Sequence, residues 1–248
     1  MEKIRNNIPN AITLLNLSGG ALSVIFALEG DLILAAWFII LAAIFDFLDG
    51  FVARWLDAKS GIGAQLDSLA DVVSFGFAPA AILFGLLQAS PGLPGIKVGD
   101  ELLLPYFSLM ILVCSAYRLA RFNIDPGQEY QFSGLPTPAT GLFVAALPLI
   151  EHRFSGNEIL VSLVTNPYIL LFIVLFLSWL MISKIPMMAI KFRNFSWKDN
   201  KTRFILMIVS PLLIVFLQYL GLVLAILLYI MLSGIDRILR SKPWRPGS

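Results

Sequence analysis

Long apolar runs recur along this chain, and no other feature constrains its fold as strongly. Eight can be read: 8–28, 32–55, 64–88, 102–122, 135–150, 167–190, 203–219 and 220–239. Most have about the 20 residues that cross a bilayer core as a helix. In hydrocarbon the backbone must satisfy its own hydrogen bonds, so such runs fold as helices. The expected architecture is an all-α integral membrane protein of about eight transmembrane helices, a single membrane domain over residues 1–248. Composition agrees: 58% of residues are apolar and only 14% charged, where a soluble domain carries about 25% charge. An ordinary soluble globule and a disordered chain are both excluded. The run 135–150 is the shortest, and is expected to be kinked or partly interfacial. Gln218, Tyr219 and Gly221 are the turn signal that divides the last two.

The connections alternate in charge. Of the 18 Lys and Arg residues, only Lys97 and Arg153 fall in connections on the side away from the N-terminus. Basic loops stay cytoplasmic, so both termini are expected in the cytoplasm and the protein in the cell membrane. The N-terminus is basic and then apolar, like a secretory signal, but no small-residue cleavage site precedes Glu29 and Asp31. An uncleaved first helix is expected. The sequon at Asn194 falls on the cytoplasmic side, where glycosylation is not expected. A net charge of +2 gives no argument for nucleic acid, and Cys114, the single cysteine, forms no internal disulfide.

The unusual chemistry sits at the cytoplasmic ends of the second and third runs. The chain reads Asp46-Phe-Leu-Asp49-Gly50-Phe-Val-Ala53-Arg54, then a short linker, then Gly63-Ala-Gln-Leu-Asp67-Ser-Leu-Ala-Asp71. Positions 46, 49, 50 and 53 share one helix face, as do 63, 67 and 71 on the next helix. Two antiparallel helices would bring four aspartates together at the membrane edge, where carboxylates are costly. They repel one another unless a cation sits among them, and hard oxygen ligands select Mg²⁺, Ca²⁺ or Mn²⁺. Two metals sharing carboxylates suit phosphoryl chemistry. Gly50 and Ala53 leave an open surface, and Arg54 is placed to meet a phosphate oxygen. A transporter could use membrane aspartates as a proton relay or cation site; the Gly, Ala and Arg beside them favour the phosphoryl reading.

These residues resemble the signature of the CDP-alcohol phosphatidyltransferase family, D-x2-D-G-x2-A-R-x8-G-x3-D-x3-D, at all eight fixed positions. The resemblance implies a six-helix catalytic core, here 8–190, around a polar cavity open to the cytoplasm, often in a homodimer. The additional C-terminal helix pair, 203–239, is like the phosphatidylserine synthase branch. It implies transfer of a phosphatidyl group from CDP-diacylglycerol to an alcohol, releasing CMP, with two divalent cations, Mg²⁺ or Mn²⁺. By the same resemblance Asp46, Asp49 and Asp67 hold one metal, and Asp46, Asp67 and Asp71 the other. The resemblance likewise implies that Asp71 is the general base for the incoming hydroxyl. Gly50, Ala53, Arg54, Ser60 and Gly63 belong to the CDP-diacylglycerol site. The family also uses the start of its first span, which here reads Pro9-Asn10-Ala-Ile-Thr13-Leu-Leu-Asn16. Asn10 and Thr13 are the candidates there; the other reading makes Asn10 a helix cap and Thr13 a back-bonded residue.

The aspartate motif does not choose the alcohol. Two further stretches, Arg118-Leu-Ala-Arg121-Phe-Asn123 and Phe132-Ser-Gly134-Leu-Pro136-Thr-Pro138-Ala139, resemble the phosphatidylserine synthase branch. That implies L-serine as acceptor, with Arg118 and Arg121 on its carboxylate. Taken alone, the pair reads as cytoplasmic anchoring. The alternative acceptor is glycerol 3-phosphate, which calls for a denser basic pocket.

Overall fold

The computed structural model describes residues 2–58, 61–93, 95, 97–98, 101–124, 132–188 and 197–240. Nine helices carry the described fold: α1 (Glu2–Leu28), α2 (Leu32–Trp55), α3 (Gly61–Asp71), α4 (Ala78–Ala89), α5 (Leu109–Ile124), α6 (Thr137–Arg153), α7 (Glu158–Thr165), α8 (Pro167–Ile182) and α9 (Trp197–Arg240). A π-helical turn, Val72–Phe77, joins α3 to α4, and a 3₁₀ turn, Leu104–Ser108, leads into α5. Four two-residue strands form two small antiparallel pairs: β1 (Lys97–Val98) with β2 (Glu101–Leu102), and β3 (Phe132–Ser133) with β4 (Pro186–Met187).

Five stretches are long and apolar enough to cross a membrane: Asn7–Leu28, Leu32–Trp55, Gly61–Ala89, Leu104–Ile124 and Asn200–Asp236. A sixth is the pair α7 and α8, bent by 56°, with Asn166 capping α8 and Pro167 opening it. The protein is therefore an all-α, multi-pass membrane protein. The expectation of eight spans divides the same helices differently. It adds the 17-residue α6, and it splits the stretch Asn200–Asp236 at Gln218, which is non-helical (φ 52°, ψ −124°). Thr202 donates to Asp236 at 3.3 Å, so the two halves of α9 lie side by side as a hairpin.

Several helix ends differ from the sequence reading, and two of the differences bear on it most. Helix α1 begins at Glu2 rather than at residue 8, so Asn10 lies inside it and caps nothing. Helix α8 stops at Ile182 instead of running to 190: Ser183 is extended, and Pro186 enters β4. Residues 189–196, including the sequon, lie outside the described part, as does Ser60.

Small residues set the packing, as they do where lipid supplies no hydrophobic drive between helices. Ala35, Ala36 and Ala42 of α2 are fully buried against α1, where Ser23 donates to the Ala35 carbonyl at 2.8 Å. Phe75, Ile82, Leu83 and Leu87 of the π turn and α4 fill the centre with Val144, Leu149 and Leu177. Large apolar side chains also face outward: Trp37, Leu41, Ile44, Phe172, Leu175, Val215 and Phe216 are exposed. In water such a belt would drive aggregation; in a bilayer it meets acyl chains.

The π turn has an identifiable cause. Pro79 cannot donate a backbone hydrogen bond, and its ring crowds the carbonyl four residues back. The helix widens just before it, with the Ala78 N–H donating to the Val73 carbonyl five residues back. This irregular turn directly follows Asp71.

Candidate active site

The C-terminal end of α2 and the start of α3 meet the first turns of α1 around a cavity of about 590 Å³. Its wall includes Pro9, Asn10 and Thr13 from α1, Asp46, Asp49, Gly50 and Ala53 from α2, and Gly61, Gly63, Ala64 and Asp67 from α3. The helical spacing explains the convergence. Asp46, Asp49, Gly50 and Ala53 lie on one stripe of α2, and Gly63 and Asp67 on one stripe of α3. The turn between them is tight: Asp57 takes a left-handed conformation (φ 48°), and the Ala58 N–H donates to the Ala53 carbonyl at 2.9 Å.

Asp46, Asp49 and Asp67 each place a carboxylate oxygen within 4.8 Å of the others. Asp49 is only 6% exposed, and its Oδ2 has no hydrogen-bond partner. Leaving a buried charged acceptor unmet costs about 1–3 kcal/mol or more. A hard divalent cation would be satisfied by this donor set and would satisfy it. Asp71 stands outside that group. It is 8% exposed, lies one turn deeper on α3 in hydrogen-bond contact with Asp46, and leaves its Oδ1 unpartnered.

The remaining candidates from α1 and α2 fall around the same cavity. The Thr13 hydroxyl donates to the Pro9 carbonyl at 3.1 Å and lies in hydrogen-bond contact with Asp49; the back-bond does not remove it from the site. A Cβ built at Gly50 would meet only the Arg54 guanidinium, 3.7 Å away. The floor there is open, and Arg54, exposed, leans across it.

Arg118 and Arg121 separate. Arg118 is buried, 9% exposed, in the field of Asp71 and of Tyr229 from α9, and its Nε has no partner. Arg121 is half-buried, one turn nearer the helix end. Sequence reasoning missed Asn16, fully buried with both carboxamide atoms unpartnered. It also missed Tyr229, whose hydroxyl donates to the Met188 carbonyl at 3.3 Å. The i, i+3 spacing of Thr13 and Asn16 was the one available signal for the former; nothing local marks the latter.

A sequence profile described as CDP-alcohol phosphatidyltransferase matches residues 6–233. The chain belongs to the CDP-alcohol phosphatidyltransferase family. It is thus a phosphotransferase, and the aspartate cluster is a site compatible with divalent metal. Named relatives are similar over most of its length. A CDP-diacylglycerol–serine O-phosphatidyltransferase of Helicobacter pylori is 33% identical over 206 residues, 81% of this chain and 78% of that protein. One from Bacillus subtilis is 33% identical over 180 residues, 73% of this chain and 89% of that protein. An archaetidylserine synthase of Methanothermobacter thermautotrophicus is 35% identical over 144 residues, 57% of this chain and 58% of that protein.

Proposed function

We propose that this protein transfers the phosphatidyl group of CDP-diacylglycerol to L-serine, giving phosphatidylserine and CMP. The names of the relatives support serine as the acceptor. The structural observation that carries the reading is Arg118: a buried cation with an unmet donor, beside Asp71 and set behind the cavity. One guanidinium suits the carboxylate of an amino acid. A phosphate on the acceptor would call for more positive charge.

Asp46, Asp49 and Asp67 are read as holding one divalent cation, with Asp46, Asp67 and Asp71 toward a second. Either Mg²⁺ or Mn²⁺ suits these oxygen donors. Bound there, the cations would neutralise charge that develops on the diphosphate oxygens. Asn10 and Thr13, with Gly50, Ala53, Arg54, Ser60 and Gly63, take the nucleotide and diphosphate. Asp71 takes the proton of the serine hydroxyl, whose oxygen attacks the phosphorus carrying diacylglycerol. The bond from that phosphorus to the bridging oxygen breaks, and the oxygen leaves with CMP. Among the described residues, no Ser, Cys or His lines the cavity with the aspartates, which favours direct transfer.

The same reading takes the chain through the membrane eight times, counting α6 and both halves of α9, with termini and active site cytoplasmic. The excess of basic residues on one side supports that orientation, and the family resemblance supports a homodimer. The experiment is an acceptor panel. Purified protein with CDP-diacylglycerol and Mg²⁺ or Mn²⁺ should release CMP with L-serine. Release with glycerol 3-phosphate in its place would move the assignment to that alcohol, and an absence of release with every alcohol offered would return the aspartates to a transport role.

A further inference from the structure

Resting on serine as the acceptor, a deeper set of unmet polar groups lies beneath the cavity. Helices α1 and α3 pair in parallel register. Asn10 and Thr13 line the cavity with Gly63 and Asp67. One turn further in, the Ser74 hydroxyl donates to the Asn16 carbonyl at 2.9 Å, and a Cβ at Gly20 would sit 2.6 Å from Ser74 Cα. Asn16 therefore lies at the level of Asp71, which is one helical turn before Ser74. Helix α5 runs the other way. Asn123 donates to Ser68 at 3.0 Å, and a Cβ at Gly76 would sit 3.0 Å from Ser115 Cβ, so Arg118 falls at that level too.

At this one level three helices present buried polar atoms without partners: both ends of the Asn16 carboxamide, the Arg118 Nε and the Asp71 Oδ1. Buried polar groups are almost always paired, so a cluster left unmet points to something that enters and pairs with it. Its chemistry is a neutral amide, a guanidinium and a carboxylate. That set matches a small amino acid bearing a hydroxyl. Asp71 meets the hydroxyl and Arg118 the carboxylate, which leaves the ammonium for an uncharged oxygen. An amide also adds no further negative charge beside four aspartates.

We propose that Asn16 is a specificity-determining residue for the acceptor, its Oδ1 accepting from the acceptor's ammonium group. Two analogues of serine isolate the contacts: 3-hydroxypropionate lacks the ammonium, and ethanolamine lacks the carboxylate. Both serve as competitors of labelled-serine incorporation by the full-length protein. Asn16→Ala should raise the serine KM about tenfold or more, with the 3-hydroxypropionate inhibition constant and the CDP-diacylglycerol KM nearly unchanged. Asn16→Asp keeps shape and the accepting oxygen. It should hold serine at least as well as wild type while weakening 3-hydroxypropionate by charge repulsion. An unchanged serine KM in Asn16→Ala, or equal losses for serine and 3-hydroxypropionate, overturns the assignment. Should Asn16→Ala fail to accumulate, equal weakening of the two ligands by Asn16→Asp does the same. Wild-type protein that releases no CMP with serine sinks the proposed function itself, and is seen before any variant is made.

Discussion

Asp49 is nearly inaccessible, yet one of its carboxylate oxygens meets no protein donor. Asp71 repeats that condition one layer deeper, with its Oδ1 unpartnered. Exchanging any one of Asp46, Asp49, Asp67 or Asp71 for Asn keeps the volume and removes the charge. CMP release should then fall at least about a hundredfold, the low end for losing a general base or a charge-stabilising group, while the melting temperature in detergent stays near wild type. Asp71→Asn retaining most of the activity would remove it as the base. The four aspartates were legible because their spacing is that of a helix face, which sequence displays directly. Asn16 was not, because what makes it notable is Asp71 on another helix, and sequence order carries no sign of that neighbour. Arg118 and Arg121 looked equivalent at i and i+3; the burial of Arg118, in the field of Asp71 and Tyr229, distinguishes them.

At the scale of elements, the apolar runs foretold the helices well, since the bilayer demands length and apolarity of each. Their ends were harder. Helix α1 extends back through polar residues to Glu2, which no hydropathy pattern marks, and α8 ends early because Ser183 and Pro186 turn the chain into β4. The π turn was invisible as such, although Pro79 was in view. Its contact with α1 is the joint that sets Asn16 at the level of Asp71. A methyl group at Gly20 would stand 2.6 Å from Ser74 Cα and 2.8 Å from its nitrogen, so backbone must move. Gly20→Ala should cost about 1–3 kcal/mol, the usual range for overpacking, read as a lower melting temperature, with activity falling alongside it. A variant with wild-type stability would show that α1 and the π turn are not held in this contact.

For the whole molecule, orientation remains the main consequence of the charge asymmetry. In a Cys114→Ser background, a cysteine at Lys201, which is exposed, should react with an impermeant thiol reagent only from the cytoplasmic side. A cysteine at Gly156, in the turn between α6 and α7, where an added Cβ would meet nothing within 4 Å, should react only from outside. Labelling of both positions from the same side would break the eight-crossing arrangement. The site lies where α1 and α3 begin and α2 ends, so on the eight-crossing arrangement an outward-facing Lys201 would turn the active site outward as well.

The most direct test of the central claim follows the phosphatidyl group itself. Radiolabelled L-serine is incubated with the purified protein, CDP-diacylglycerol and Mg²⁺ or Mn²⁺, and label in extracted lipid is compared with CMP released. The account predicts labelled phosphatidylserine in equal amount to CMP, abolished by a chelator and restored by adding the metal back. CMP released without labelled lipid, or transfer that survives chelation, would contradict it.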